Sequence, residues 1–264
     1  MDRRLIIRPG AIGDLILSLP AMGWLQTGYL EVWAAAQNLP LIRFASRTRS
    51  IASTGLDMLE LAPDARLIDQ LSRFDSIVSW YGANRPEFHA AVKAFPFQFL
   101  TALPPDGSLL HAADFFASQA GCPVPAIPRI HCPRLDGGFA VIHPFAGSPK
   151  KCWPLERYRA LATRLEAHCP VKWCTGPEEP LEQALRIDDL YELACWLATA
   201  RVYIGNDSGI THLAAAVGTP VVALFGPTDP RIWAPRGEHV RVIWKPALAD
   251  ITVDEVVAAI PHPR

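Results

Sequence analysis

The chain has 264 residues, half of them hydrophobic and 19% charged, with a formal net charge of −1. That is enough apolar material for one large core or two ordinary ones, and it excludes a disordered chain. The near-neutral balance gives no field for wrapping nucleic acid, and no run of about 20 apolar residues is long enough to cross a bilayer.

The first element is "LIIR", Leu5 to Arg8, a short β-rich run. A turn, "PGAIG", follows, and then "DLILSLPAMGWLQ", whose apolar spacing is helical. Pro20 lies past the first turn of that helix and predicts a kink. The same stretch also has the outline of a secretory signal peptide, with basic residues, an apolar run and small residues. Against that reading, Gly10, Gly13 and Asp14 interrupt the apolar segment and Pro20 follows it. Strand, glycine loop and helix form the first unit of a Rossmann-like domain, where ligands sit at the carboxyl ends of the strands. Asp14 stands at that edge. A helix N-terminus favours its ionised form, which suits a base or a partner for a sugar hydroxyl; a plain capping role is the structural alternative.

Leu30 to Ala36 and Phe74 to Gly82 read as further strands, and Leu109 to Gly121 as a helix closed by glycine. Between them "RFASRTRS" gathers Arg43, Arg47 and Arg49, a cluster suited to phosphates or acidic sugars or simply to solvent. Cys122 to Gly138 is proline-rich, ends in two glycines and reads as a linker between domains spanning 1–135 and 136–264. Six cysteines show no C-x-x-C pair and no regular spacing; they read as reduced, mostly core thiols of a cytoplasmic protein.

The second half alternates again. Strands are expected over Phe139–Gly147, Val171–Gly176, Arg201–Asp207, Val221–Gly226 and Val240–Trp244, with helices in "LERYRALATRLEAH", "DDLYELACWLATA", "SGITHLAAAVG" and "TVDEVVAAI". Two parallel-sheet α/β domains facing a central cleft follow from that repetition. One strand runs into Gly205-Asn206-Asp207-Ser208-Gly209 at a helix start, where unpaired N–H groups and the positive dipole end can hold a diphosphate. His212, one turn in, is within reach of the same anion. Read singly, Asp207 and Ser208 are caps and His212 is a core residue. In "HPFAGSPKKCWPLERY", Ala146, Gly147 and Ser148 leave room for a phosphate, and Lys150 or Lys151 supplies a cation; paired lysines on a solvated surface are the alternative.

Three stretches, "IGDLILSLPA", "HPFAGSPKKCWP" and "IGNDSGITHLAAAVGTPVVALFGPT", together resemble the family 9 glycosyltransferases, the ADP-heptose:lipopolysaccharide heptosyltransferase group. The resemblance implies a GT-B fold, with the acceptor on the first Rossmann-like domain and an ADP-sugar on the second. It also implies inversion at the sugar and no cofactor or obligatory metal. The family's catalytic aspartate maps onto Asp14, and acceptor contacts are expected at Gly13, Arg43 and Arg47. Its phosphate loop and lysine fall on Ala146, Gly147, Ser148 and Lys151. Its D-[ST]-G-x-x-H motif falls on Asp207, Ser208, Gly209 and His212. A ribose-binding glutamate should follow "VKWCTG", where Glu178, Glu179 and Glu182 compete and Glu182 is preferred. The expected partners are an ADP-sugar and a glycan or lipid-linked glycan acceptor met by peripheral contact at the inner membrane's inner face, with no nucleic acid. The chain departs from the family in its shorter length and in having Ala146 and Gly147 where hydroxyls often stand. Two other functions fit two such domains. One is a catalytically silent nucleotide-sugar binding module; the other is a nicotinamide oxidoreductase, for which no G-x-G-x-x-G follows any strand.

Overall fold

The computed structural model describes residues 2–62, 64–133 and 137–261. The chain divides into two units, 1–126 and 127–264.

The amino-terminal unit runs β1 (Arg3–Arg8), α1 (Ile12–Trp24), β2 (Tyr29–Ala34), β3 (Arg47–Ser50), α2 (Ala65–Leu71), β4 (Ser76–Ser79), α3 (Pro86–Ala91), β5 (Phe97–Phe99) and α4 (Ala112–Gln119). Its strands form one parallel sheet in the order β3-β2-β1-β4-β5. β1 is the central strand, and Leu5, Ile6 and Ile7 are fully buried, as a strand covered on both faces requires. Leu15, Ile16 and Leu17 on α1 are buried as well. The opening stretch is therefore the middle of a core. Helix α1 continues through Pro20 to Trp24.

The carboxyl-terminal unit runs β6 (Ala140–His143), α5 (Leu155–Glu166), β7 (Val171–Trp173), α6 (Leu190–Leu197), β8 (Val202–Asn206), α7 (Gly209–Ala216), β9 (Val221–Phe225), α8 (Pro230–Trp233), β10 (Val240–Trp244) and α9 (Val253–Ala259). Its sheet is parallel too, in the order β10-β9-β8-β6-β7. Trp153, Tyr158, Leu161, Ile204, Val222 and Ile251 build one core cluster.

Three expectations change. The division falls at 126/127 rather than 135/136, because the proline-rich segment is split: the Ala126 N–H bonds Asp114 Oδ1 at 2.7 Å in the first unit, whereas in the second the Ile130 N–H bonds the Ala216 carbonyl at 2.9 Å and the Tyr191 hydroxyl bonds the His131 carbonyl at 3.1 Å. "RTRS" is not merely a charged surface run but the edge strand β3, where charged side chains deter pairing with other chains. All six cysteines are free, but Cys174 is the one that is buried and the other five are half-buried, so most are not core thiols.

Candidate active site

β6 and β8 lie side by side, with His143 in register with Gly205, so the loops that follow them leave the same sheet edge. Asn206 ties those loops together. Its fully buried Oδ1 accepts the Trp153 N–H at 2.9 Å and the Tyr158 hydroxyl at 2.9 Å, while Nδ2 donates to the Pro144 carbonyl at 2.7 Å. Burial raises the Tyr158 pKa well above its ordinary value, so the hydroxyl stays a donor. Thr211 Oγ1 donates to the Asn206 carbonyl at 2.5 Å and lies 3.1 Å from both Ser208 Oγ and Tyr203 Oη. Gly205 follows from the same crowding: a Cβ there would stand 2.6 Å from Tyr203 Oη. The motif reading included Asn206 at the end of the strand but gave it no role of its own.

On this frame Lys151 Nζ donates to Asp207 Oδ2 at 2.7 Å, with Asp207 9% exposed and Lys151 35%. A short 3₁₀ turn, Pro149–Lys151, presents the lysine, and the Ser148 carbonyl accepts the Lys151 N–H at 2.9 Å. Ser208 caps α7, its Oγ accepting the Thr211 N–H at 3.4 Å. The N–H groups of Gly209 and Ile210 belong to the first turn, which a helix cannot pair from within, so they carry partial positive charge beside Lys151 and Asp207. Ala146 is half-buried in the loop before Ser148, and Gly147 is exposed; a Cβ on Gly147 would meet no atom within 4 Å, so the glycine leaves open space. Ser148, Lys151, Asp207, Ser208 and Gly209 thus come together, His212 is buried in the first turn of α7, and Lys150 is exposed.

Of the competing glutamates, Glu179 is held at the strand end. Its Oε2 accepts the Gly176 N–H at 2.6 Å and lies 3.3 Å from His143 Nε2. Arg186 closes the loop by donating to the Glu179 and Leu181 carbonyls, each at 2.9 Å. The preferred Glu182 is exposed, as is Glu178. Burial opposes ionisation of Glu179, but hydrogen bonds from His143 and Gly176 and the charges of His143 and Arg186 outweigh it and lower its pKa. A carboxyl lowered on folding stabilises the folded state above its ordinary value of 4.5, and that contribution is lost as pH falls through the folded value. Glu179→Gln is therefore expected to be less stable than the parent near pH ~6, with the gap closing near pH ~3, as urea unfolding at both values will read.

In the amino-terminal unit Asp14 occupies the third position of α1, and Ala11 rather than an aspartate is the N-cap. Asp14 Oδ2 accepts the Ala11 N–H at 3.0 Å, and its side chain is 26% exposed. Behind it lies Arg8, buried, donating to Ser18 Oγ at 2.7 Å and to the Asp14 carbonyl at 3.2 Å, with Nη2 4.0 Å from Asp14 Oδ1. Burial lowers the Arg8 pKa to about 10, with Asp14 acting in the opposite direction, so the guanidinium remains charged at neutral pH. Gly10 adopts φ +115°, and a Cβ there would lie 2.9 Å from Asp14 Oδ2. Asn38 Nδ2 steadies the loop by donating to the Gly10 carbonyl at 3.1 Å. Gly13, half-buried, is the second residue of α1, beside Asp14.

Arg47 lies away from Asp14. Arg47 starts β3 and pairs in register with Glu31, at the amino end of the strands, whereas Asp14 follows the carboxyl end of β1. Arg43 is on the return path to that amino end, next to Phe44, whose carbonyl accepts Gln26 Nε2 from the loop entering β2. Their charge made these arginines candidates for acceptor contacts; the parallel topology sends the chain back across the sheet before each new strand begins.

Two parallel five-stranded α/β units in one chain match the GT-B glycosyltransferase fold. E. coli ADP-heptose LPS heptosyltransferase II shares it with a TM-score of 0.76 and 18% identity over 97% of each chain. E. coli heptosyltransferase WaaC with ADP gives 0.69 and 18%, covering 97% of this chain and 98% of that one. A model of glycosyltransferase family 9 (heptosyltransferase) matches residues 111–256, more than half of the chain, and the protein belongs to that family. Lipopolysaccharide heptosyltransferase 3 of Escherichia coli is 30% identical over 123 residues, 40% of this chain and 36% of that protein. Lipooligosaccharide heptosyltransferase 2 of Haemophilus influenzae is 28% identical over 113 residues, 36% of this chain and 33% of that protein. The chain thus matches about a third of the length of these relatives. Family membership displaces the oxidoreductase alternative. Among the described residues no helix is long and apolar enough to cross a membrane.

Proposed function

We propose that the protein is an inverting glycosyltransferase that moves a heptose from an ADP-sugar to a lipopolysaccharide-type glycan acceptor. In this reading it works in the cytoplasm, in peripheral contact with the inner membrane. The observation that carries the reading is the Lys151–Asp207 pair, 2.7 Å apart beside the capped start of α7 and the open Gly147 loop. A lysine, unpaired helix N–H groups and a loop with room for phosphate form a leaving-group site for a nucleoside diphosphate.

The proposed step is a single displacement. Asp14 takes the proton of an acceptor hydroxyl, whose oxygen bonds the anomeric carbon as that carbon's bond to the diphosphate breaks on the opposite face. The electron pair leaves with ADP, and Lys151 and the first turn of α7 stabilise its growing charge without a metal ion. Glu179, fixed by His143 and Gly176, is the glutamate best anchored to orient the nucleotide ribose, ahead of Glu182.

Lys151→Ala tests the leaving-group site. Its affinity for ADP should fall ~10-fold or more, while adenosine, which has no phosphate, binds as before; calorimetric titration of both ligands decides it. Equal losses for ADP and adenosine would mean that the lysine only supports the fold.

A further inference from the structure

The amino-terminal unit holds a second concentration of positive charge that the transfer reaction does not use. Toward the amino ends of β1, β2 and β3, against α2, lies a depression of about 270 Å³ lined by Arg3, Arg47, Arg49, Arg66 and Arg73. Two carboxylates share it, Glu31 and Asp69, and both are engaged. Buried Glu31 accepts from Tyr29 Oη at 3.1 Å, Trp33 Nε1 at 2.8 Å and Gln70 Nε2 at 3.4 Å, and Asp69 is bound by Arg73 at 2.5 Å.

Three of the arginines are already fixed. Arg49 donates to Gln70 Oε1 at 2.5 Å and lies over the Trp33 ring. Arg3 stacks 4.1 Å from the Tyr29 centroid and donates to the Arg73 carbonyl at 3.1 Å. Arg73 is held by Asp69. The other two differ: the exposed side chains of Arg47 and Arg66 form no hydrogen bond or ion pair among the described residues. Five guanidinium groups facing two occupied carboxylates repel one another, and a concave wall concentrates their field. Fixed donors bind an anion without the entropy cost of ordering them, and the guanidinium fork matches phosphate oxygens in pairs.

We propose that this depression binds a phosphate-bearing anion at a site separate from the nucleotide site, with Arg47 and Arg66 closing on it from β3 and α2. The chemistry is that of a phosphomonoester or diphosphate, carried either by a soluble molecule or by a lipid headgroup. The inference does not depend on the sugar-transfer reading.

The test compares the parent protein with Arg47→Ala/Arg66→Ala, both with ADP at saturation so that pyrophosphate cannot report the nucleotide site. Inorganic pyrophosphate, titrated calorimetrically at constant ionic strength, is expected to bind the parent and to bind the double variant ~10-fold or more weakly, with ADP affinity unchanged. Sedimentation with phosphatidylcholine vesicles containing phosphatidic acid, against phosphatidylcholine alone, separates the sources. Variant-sensitive binding to the acidic vesicles assigns a lipid headgroup, and pyrophosphate binding without vesicle binding assigns a soluble ligand. Arg47→Lys/Arg66→Lys, which keeps the charges but not the forks, should fall between and carries the same comparison if the alanine variant does not fold. Equal pyrophosphate affinity in parent and variants, or no binding to either probe, overturns the proposal.

Discussion

Asp14→Asn is expected to lower sugar transfer by ~10²–10⁴-fold, the usual contribution of a general base, while leaving the fold and ADP affinity close to those of the parent. The two halves of that result have separate structural grounds. An amide oxygen can still accept the Ala11 N–H that Asp14 Oδ2 accepts at 3.0 Å, so the first turn of α1 stays capped. Arg8 keeps its bonds to Ser18 Oγ and to the Asp14 carbonyl. What it loses is one ion pair at 4.0 Å to a partner 26% exposed, a loss of ~1 kcal/mol or less once solvent screening is counted. The amide cannot take a proton at neutral pH. Transfer assays with an ADP-sugar and a glycan acceptor, run beside thermal unfolding, give both readings. A near-normal rate would place the base elsewhere and leave Asp14 as a capping residue.

The largest stability effect is expected at Asn206. Asn206→Ala removes an acceptor for the Trp153 N–H and the Tyr158 hydroxyl and a donor to the Pro144 carbonyl, leaving three polar groups in a buried place without partners. Stranded buried groups cost ~1–3 kcal/mol each, and partial relaxation brings the total to ~3–5 kcal/mol. Lys150→Ala, at an exposed position of the same loop, should stay within ~0.5 kcal/mol. Denaturant unfolding of the three proteins checks the difference. A loss under ~1 kcal/mol for Asn206→Ala would mean that the loop is held by other contacts.

The sequence announced some of this structure and concealed the rest for identifiable reasons. β1, β8 and β9 were legible because a parallel strand covered on both faces reads as an unbroken apolar run, and such runs are rare outside a core. β3 was not, since "RTRS" lies on an edge and has the composition of a solvated turn, and the three-residue β5 is too short for any period to register. At the site, motif spacing grouped Lys151 with Asp207, which are bonded to each other. Glu178, Glu179 and Glu182, three acids within five residues, cannot be ranked by spacing. Only the hydrogen bonds to Gly176 and His143 distinguish Glu179. The register of Arg47 with Glu31 was likewise hidden, since a charge cluster says nothing about which end of a parallel strand a residue occupies.

Asn206 grips the segment between β6 and α5 by its main chain, through the Pro144 carbonyl at one end and the Trp153 N–H at the other, and the Lys151 N–H closes on another carbonyl at Ser148. Main-chain grips are indifferent to the side chains they enclose. Residues 145–150 therefore form an interchangeable insert clamped in a fixed frame, and a substitution there can retune what the insert recognises without disturbing how it is held. Variation can accumulate on the lip of such a clamp while its jaws stay the same.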